Sequence, residues 1–179
     1  DKGERVMIFD YDAHHGNGTQ AAFYDDPRVL FVSLHQMPLY PGTGALSERG
    51  SGEAIGTTVN VPMPAGATGD HYRAAWSEVI APVADSFQPT WLLVSAGFDG
   101  HRDDPITDLG LTSADLGDLT LAALEIVPAG RCLVFFEGGY DLDAIRQSTH
   151  SVIAALAGTR AHLEPPSSGG PGGGAVAAA

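Results

Sequence analysis

The chain has 179 residues, a formal net charge of −13 and a single lysine, Lys2. Apolar residues make up 44% of it and charged residues 17%, which is typical of a folded domain and not of a disordered chain. The negative charge argues against a protein that binds nucleic acid non-specifically, because phosphate contacts need Lys and Arg. A cationic partner would fit, although acidity more often only keeps a protein soluble. One domain is expected at this length.

Cysteine usage and hydropathy indicate the compartment. Cys132 is the one cysteine, which excludes an intrachain disulfide framework and suits a reducing environment. Its position in an apolar run predicts a buried thiol. No apolar stretch approaches the ~20 residues of a membrane-spanning helix, and no signal-peptide pattern is recognisable. We therefore expect a cytoplasmic protein that contacts no membrane.

The alternation of apolar runs and helical spacing predicts the fold class. Apolar runs rich in β-branched or aromatic residues, which predict buried strands, lie at 6–9, 29–34, 58–61, 91–95 and 133–136. Segments with helical spacing lie at 70–87, 113–126 and 143–157, with a shorter one at 19–24. This order predicts an α/β fold, a parallel sheet flanked by helices.

Residues that break or cap helices, and stretches rich in small residues, refine this outline. Pro82 predicts a kink or break within 70–87, and Thr112 or Ser113 is suited to cap the following helix. Residues 42–56, rich in Gly and Ser, predict a long surface loop, which is often functional. We expect residues 1–163 to form the domain. Residues 164–179, rich in Gly, Pro and Ala, are expected to be a disordered tail, because they bury too little apolar area to offset the ordering entropy.

Polar clusters follow three of the predicted strands, at 10–20, 96–105 and 137–141. Ligands gather at the carboxyl ends of parallel strands, so the chemistry is expected there. Residues two apart in an extended segment point the same way, which lets Asp12 and His14 reach one ion, and Asp10 shares their parity. Asp99 is the natural third ligand of Zn²⁺ or another first-row divalent ion.

Each cluster also has a simpler explanation when taken alone. An Asp-x-Asp-x-His run at a strand end is more often a turn or capping cluster than a metal site. The run 137–140 either brings backbone and Tyr140 to a ligand or merely turns the chain. The run 40–44 either lines a substrate slot or forms a turn. Asn17 begins a glycosylation-like triplet, but without a secretion signal a tight turn before a helix is the better interpretation.

Taken together, the runs 10–20, 33–35, 40–44, 95–105 and 137–142 resemble the histone deacetylase superfamily. That superfamily includes bacterial acetylpolyamine amidohydrolases and acetoin-utilisation-type proteins. The resemblance extends from residue 6 to about residue 156 and concerns the C-terminal part of the domain. It implies the arginase–deacetylase architecture and metal-dependent hydrolysis of an acetyl amide, in acetyl-lysine or in an acetylated polyamine. Asn17, where many class I members carry Asp, favours the class II and bacterial branches.

The resemblance also implies roles for individual residues. Asp12, His14 and Asp99 match the zinc ligands, and Tyr140 matches the tyrosine that hydrogen-bonds the substrate carbonyl. The substrate-binding positions are Tyr40, Gly138 and Gly139. A structural monovalent-cation site, usually filled by K⁺, is matched by Asp10, Ser33 and Leu34 with backbone groups of Asp12 and His14.

One expected part is not in the matching region. The family's general base is a pair of adjacent histidines in a Pro-Gly-His-His-like motif, which lies upstream of that region. His15 follows a metal ligand and is not part of such a pair; His101 is a weak candidate, and His35 better supports the cation-binding strand. The chain is thus either a deacetylase or a truncated, catalytically inactive metal-binding fragment. Arginase-like two-metal chemistry through Asp103 and Asp104 is less favoured.

Overall fold

The computed structural model describes residues 3–179. Its strands are β1 (Val6–Asp10), β2 (Val29–Gln36), β3 (Thr58–Met63), β4 (Trp91–Ala96) and β5 (Cys132–Phe136). Its α-helices are α1 (Asn17–Phe23), α2 (Gly69–Ala75), α3 (Ala81–Phe87), α4 (Ser113–Leu124), α5 (Leu142–Leu156) and α6 (Gly173–Ala178). A 3₁₀ turn lies at Gly52–Ala54 and a π-helical turn at Trp76–Ile80. Among the described residues the strands pair in parallel, which confirms the predicted α/β class.

The strand order places the site. Within the part of the chain that the structure describes, the order is β3-β2-β1-β4-β5, so that β1 lies in the middle. Asp10 at the end of β1 is in register with Ser33 of β2 on one side and with Ser95 of β4 on the other. The connections leave β1 and β4 in opposite directions, which opens a crevice above their carboxyl ends. This is where a ligand site is expected in such a sheet.

The core packs one face of the sheet against the helices. Met7 and Phe9 of β1 are fully buried, as are Tyr72 of α2 and Leu116 of α4. All eight residues of β2 are buried, which explains why its first half, Val29–Val32, is continuously apolar rather than alternating. The sheet therefore holds the strand ends rigidly.

The predicted features of the helices are confirmed. The segment 70–87 is interrupted by the π-helical turn, and Pro82 lies in the first turn of α3, where its missing N–H costs nothing. Thr112 caps α4 in a reciprocal pair with Asp115, whose carboxylate accepts the Thr112 amide at 2.9 Å. Among residues 3–179, no helix has the length and apolarity needed to cross a membrane.

The strand β5 differs from the prediction. Leu133, Phe135 and Phe136 are each about half exposed and Cys132 is only partly buried, because β5 is an edge strand among the described residues. An open apolar groove of ≈ 400 Å³ lies beside it, lined by Val134, Phe136, Ile145, Val152, Ile153 and Leu156 among others. The prediction that the run 133–136 and the Cys132 thiol are buried is therefore wrong.

The segment 164–179 also differs from the expected disordered tail. The buried His101 ring donates to Glu164 through Nε2 at 2.7 Å, and the Ser113 amide donates to the same carboxylate at 2.8 Å. The Ser167 hydroxyl donates to Asp115 at 2.6 Å, and α6 buries Val176. Buried polar groups therefore hold this segment, which a composition poor in large apolar residues does not reveal.

Replacing Glu164 by Ala is expected to lower the free energy of unfolding by about 1–3 kcal/mol, because two buried donors lose their acceptor. Urea unfolding measures the change. Glu78→Ala is the matched control: Glu78 is exposed on the π-helical turn, and its loss is expected to stay within about 0.5 kcal/mol. Equal effects of the two substitutions would contradict a stabilising role for Glu164.

Candidate metal centre

Asp12, His14 and Asp99 converge at the carboxyl ends of β1 and β4. His14 Nδ1 lies 2.8 Å from Asp99 Oδ2 and 3.2 Å from Asp12 Oδ1. One ligand atom of each residue lies within 4.8 Å of the other two. Both carboxylates are buried, whereas the His14 side chain is 25% exposed, so solvent approaches the cluster from the imidazole side. The structure thus brings the three predicted ligands together.

Backbone amides hold the two carboxylates in place. The amide of Ala13 donates to Asp99 Oδ1 at 2.9 Å, and the amide of His14 donates to Asp12 Oδ1 at 2.7 Å. The amide of Gly138 donates to Asp12 Oδ2 at 3.1 Å, which connects the loop after β5 to the same cluster. Charge-assisted bonds of this kind fix the orientation of both carboxylates before any ligand arrives.

The cluster carries unbalanced negative charge. Burial first, and then the neighbouring charge of Asp12, raise the pKa of Asp99 to about 6, while the Ala13 amide and His14 act in the opposite direction. A bound divalent cation would relieve this repulsion and favour both carboxylates in their charged form. Among residues 3–179, this is the one group of three His, Cys, Asp or Glu side chains arranged to hold a metal ion.

Two glycines allow backbone to approach the carboxylates closely. A Cβ at Gly138 would lie 2.5 Å from Asp99 Oδ2 and 2.7 Å from Asp12 Oδ2, and a Cβ at Gly97 would overlap the Asp12 carboxylate. Gly139 has a φ of 137°, which strongly favours glycine. The close-approach interpretation of the run 137–140 is therefore favoured over a simple turn. Sequence reasoning missed Gly97, although its position two residues before Asp99 was a usable signal.

The predicted aromatic residues lie at the periphery. Tyr140 follows Gly138 by two residues, and its side chain is 57% exposed. Tyr40 is 80% exposed and makes no hydrogen bond to the triad within the part of the chain that the structure describes. Of the three predicted substrate-binding residues, the glycines Gly138 and Gly139 are in the loop that borders the triad and Tyr40 is separate from it.

A second buried carboxylate lies beside the triad. Asp10 is almost fully buried, and its Oδ1 accepts the amide of Asp12 at 3.1 Å. Burial, and then the charges of Asp12 and Glu137, raise the pKa of Asp10 well above its usual value. Among the described residues, no basic side chain forms an ion pair with it, and Ser33 and Leu34 on β2 are fully buried next to it. Asp10, Ser33 and Leu34, which were predicted for the monovalent cation, thus lie together around a buried carboxyl group that has no ion-pair partner among the described residues.

A pair of neutral histidines supports the loop that follows β2. The rings of His15 and His35 lie 4.8 Å apart; His15 Nδ1 is 2.8 Å from the Thr43 hydroxyl, and His35 Nε2 donates to the Gly44 carbonyl at 3.0 Å. Burial lowers the pKa of both rings, that of His35 to about 4. His35 therefore supports this loop, and its Nδ1 lies 3.0 Å from the hydroxyl of Ser33 on β2.

The remaining candidates on the loop after β4 are used elsewhere. His101 is buried and bonds the Asp103 amide and Glu164 through its two ring nitrogens, so it is not free to act as a base. The Asp103 side chain is 62% exposed, and the Asp104 carboxylate accepts backbone amides. Neither joins the triad among the described residues, so the arginase-like two-metal interpretation finds no support.

Two further polar side chains near the triad were missed by sequence reasoning. The Tyr72 hydroxyl is fully buried without a hydrogen-bond partner among the described residues, and burial and the charges of Asp99 and Asp12 raise the pKa of Tyr72. The Thr107 hydroxyl donates to the carbonyl of Asp99. A tyrosine within a helical pattern reads as an ordinary core residue, and no local signal marks Thr107.

Comparison with known proteins decides the family. The model of the histone deacetylase domain matches residues 1–156. The chain belongs to that family. A probable deacetylase of Archaeoglobus fulgidus is 45% identical over 159 residues, which cover 87% of this histone deacetylase-family chain and 44% of the relative. Histone deacetylase 10, chloroplastic, of Oryza sativa is 44% identical over 158 residues and is covered to 36% of its length.

Solved structures agree with this assignment. The structure of the histone deacetylase Clr3 superposes with a TM-score of 0.87 at 40% identity, covering 98% of this chain and 30% of that one. The crystal structure of the HDA15 HD domain superposes with a TM-score of 0.83 at 39% identity and is covered to 46%. The fold is therefore the one shared by these deacetylase domains, and the chain spans less than half the length of these relatives.

The buried histidine pair predicts a pH-dependent stability. In the folded state the pKa of His35 is about 4, so the ring is neutral above that pH. In the unfolded chain its pKa is near the ordinary value of 6.5. The free energy of unfolding is therefore expected to fall as the pH drops from 7 to 5, by on the order of 2 kcal/mol from this group. Denaturant unfolding of the parent and of His35→Gln at both pH values tests this, since only the parent has this contribution. An identical pH dependence in the two would contradict it.

Proposed function

We propose that this histone deacetylase-family protein hydrolyses an acetyl amide at a Zn²⁺ ion held by Asp12, His14 and Asp99. The observation that carries the proposal is the convergence of these three side chains in one partly open cluster at the crevice of the sheet. Relatives named as deacetylases, at 43–45% identity, support the reaction class. Because the chain spans under half of these relatives, the activity of the whole protein is part of the proposal.

The donor set suits zinc. Catalytic Zn²⁺ takes three protein ligands from His and carboxylate side chains and keeps one position open for water. Two carboxylates and one imidazole meet this requirement, and the partial exposure of His14 leaves an approach from solvent. The elevated pKa of Asp99 reflects the cost of two bare charges in the site, and a bound cation would offset that cost. The side chains present therefore fit the metal.

The protein groups around the ion determine how an acetyl amide would be processed. When bound, Zn²⁺ supplies a Lewis acid that polarises the acetyl carbonyl and makes water more acidic. Gly138, without a side chain, leaves room beside the carboxylates. The Tyr140 phenol then donates a hydrogen bond to the carbonyl oxygen as negative charge develops on it, which stabilises the transition state more than the ground state.

We propose K⁺ as the occupant of the neighbouring site around Asp10. A buried carboxylate without an ion-pair partner among the described residues is costly unless it is protonated or bound to a cation. The buried Ser33 and Leu34 on the adjacent strand, with backbone groups of Asp12 and His14, supply the oxygen ligands that such a hard cation prefers. Gly16 keeps the space next to Asp10 Oδ2 free of a side chain.

The proposed substrate is an acetylated primary amine on an aliphatic chain, in acetyl-lysine or in an acetylpolyamine. The net charge of −13 is compatible with either cationic partner. A cytoplasmic location stays a prediction, since relatives named chloroplastic are among the most similar proteins.

A second candidate function is metal binding without turnover. A general base must reach the water that it deprotonates. His15, His35 and His101 each use both ring nitrogens in contacts with protein groups among the described residues. Assaying the Zn²⁺-loaded protein on panels of acetyl-lysine peptides and acetylpolyamines separates the two candidates, because bound metal without hydrolysis supports the second.

The metal site itself predicts the result of a titration. The parent is expected to bind one Zn²⁺ per chain at the triad, and Asp99→Asn to weaken binding by more than ~100-fold, because a neutral amide is a poor ligand. Isothermal titration calorimetry measures both. Asp103→Asn is the matched control: it makes the same charge change on the same loop at an exposed side chain and is expected to bind like the parent. Equal affinities for Asp99→Asn and the parent would reject the site.

Removing the Tyr140 hydroxyl is expected to affect turnover alone. Tyr140→Phe should lower kcat by about 10²–10³-fold, which is the typical cost of one oxyanion donor. Zinc content and thermal stability are expected to stay at parent values, since the phenol is largely exposed. Steady-state kinetics on the best substrate of the panel provide the measurement. An unchanged kcat would exclude Tyr140 from the reaction.

A further inference from the structure

The loop after β4 contains a buried acidic residue whose carboxylate accepts hydrogen bonds from backbone amides. Asp104 is 5% exposed. Its Oδ2 accepts the amide of Tyr140 at 2.7 Å and that of Asp141 at 3.3 Å, and its Oδ1 accepts the amide of Ile106 at 3.1 Å. Among the described residues no Lys, Arg or His pairs with it. Because the Asp104 carboxylate accepts only backbone N–H groups, its charge-assisted bonds fix the positions of those groups.

The amides that it fixes belong to the loop after β5. This loop is connected to the β4 loop at two points: the Phe98 amide donates to the Gly138 carbonyl at 2.7 Å, and Asp104 accepts the Tyr140 amide. Between the two points lies Gly139, with a φ of 137°. The first link holds the glycine end against the triad, and the second holds the tyrosine end.

Tyr140 has little else to hold it. Its side chain is 57% exposed, so packing restrains the phenol weakly. The backbone at Tyr140 therefore determines the position of the phenol. A shift of about 1 Å in a catalytic group lowers the reaction rate strongly. The helix α5 begins at Leu142, directly after the two amides, and the positive end of its dipole adds to the attraction for the carboxylate.

We propose that Asp104 is a positioning residue that acts through Tyr140, holding the backbone from which its phenol reaches the substrate carbonyl. The proposal rests on the deacetylase function proposed above for its catalytic consequence. Its structural part, the hold of Asp104 on the Tyr140 and Asp141 amides, does not depend on that function. The two parts are tested separately.

The hold itself is tested by amide exchange. In Asp104→Asn, the side chain loses its charge and one of its two acceptor oxygens, so the amides of Tyr140 and Asp141 keep at most a weaker, neutral acceptor. Hydrogen exchange of the Tyr140 and Asp141 amides, followed by NMR, is expected to accelerate by roughly 10–100-fold. Asp103→Asn makes the same charge change at the adjacent, exposed side chain and is expected to exchange like the parent. Unchanged exchange in Asp104→Asn, or equal acceleration in both variants, would overturn the proposal.

The catalytic consequence is tested by a double-mutant cycle. Asp104→Asn is expected to lower kcat by roughly 10–100-fold with KM and zinc content close to the parent, because the ligands of the triad are untouched. In a Tyr140→Phe background the same substitution is expected to cost almost nothing further, since the hydroxyl that it positions is gone. Full additivity of the two losses would show that Asp104 acts by another route. A partial fall in kcat with a matching fall in thermal stability, in both backgrounds, would likewise overturn it.

The outcomes also distinguish this proposal from the function on which it rests. A parent that binds zinc but hydrolyses no acetyl amide defeats the proposed function, and the exchange experiment still decides whether Asp104 holds the loop. A parent that is active, with Tyr140→Phe impaired and Asp104→Asn unimpaired, leaves the function standing and defeats the positioning role.

Discussion

Two acidic side chains, in the loops that follow β1 and β4, are buried beside each other, and the surrounding structure is arranged to tolerate them. Asp12 and Asp99 repel one another in a poorly solvated place, which raises the pKa of Asp99. Amides of Ala13, His14 and Gly138 are directed at them, and the His14 ring contacts both. These contacts lower the cost of burial without removing the excess charge. A site that remains short of one positive ion is what a metal centre requires before its metal binds.

The sheet order makes this pairing possible. Asp12 and Asp99 are far apart in the chain, and they meet because β4 inserts next to β1 on the side opposite β2. The same order places Asp10, at the carboxyl end of the central strand β1, in register with Ser33, so that another buried carboxylate lies beside the first two. Beneath the loop after β2, burial keeps the rings of His15 and His35 neutral. The carboxylates of this centre thus accept hydrogen bonds from neutral backbone amides, and among the described residues no Lys or Arg side chain is paired with them.

The parts that sequence reasoning predicted depend on local rules. The alternation of apolar runs and helical segments indicated the strands. Residue parity and position at strand ends then predicted that Asp12, His14 and Asp99 lie together, because both depend on backbone geometry. The exposure of β5 escaped prediction because a strand's edge position is a property of the whole sheet. The ordered segment after residue 163 escaped it because Glu164 is held by partners distant in the chain, including the buried ring of His101. No composition rule reports such partners.

The loop after β4 combines these effects. It carries the proposed ligand Asp99 at one end, and the Thr107 hydroxyl donates a hydrogen bond to the Asp99 carbonyl. Glu164 anchors its middle through His101, while Asp104 ties it to the amide of Tyr140. The proposed ligand Asp99 and the candidate oxyanion donor Tyr140 are therefore both positioned by one short stretch of backbone. Because this stretch is restrained from the C-terminal segment and from the start of α5, a displacement of either restraint would move metal geometry and substrate contact together.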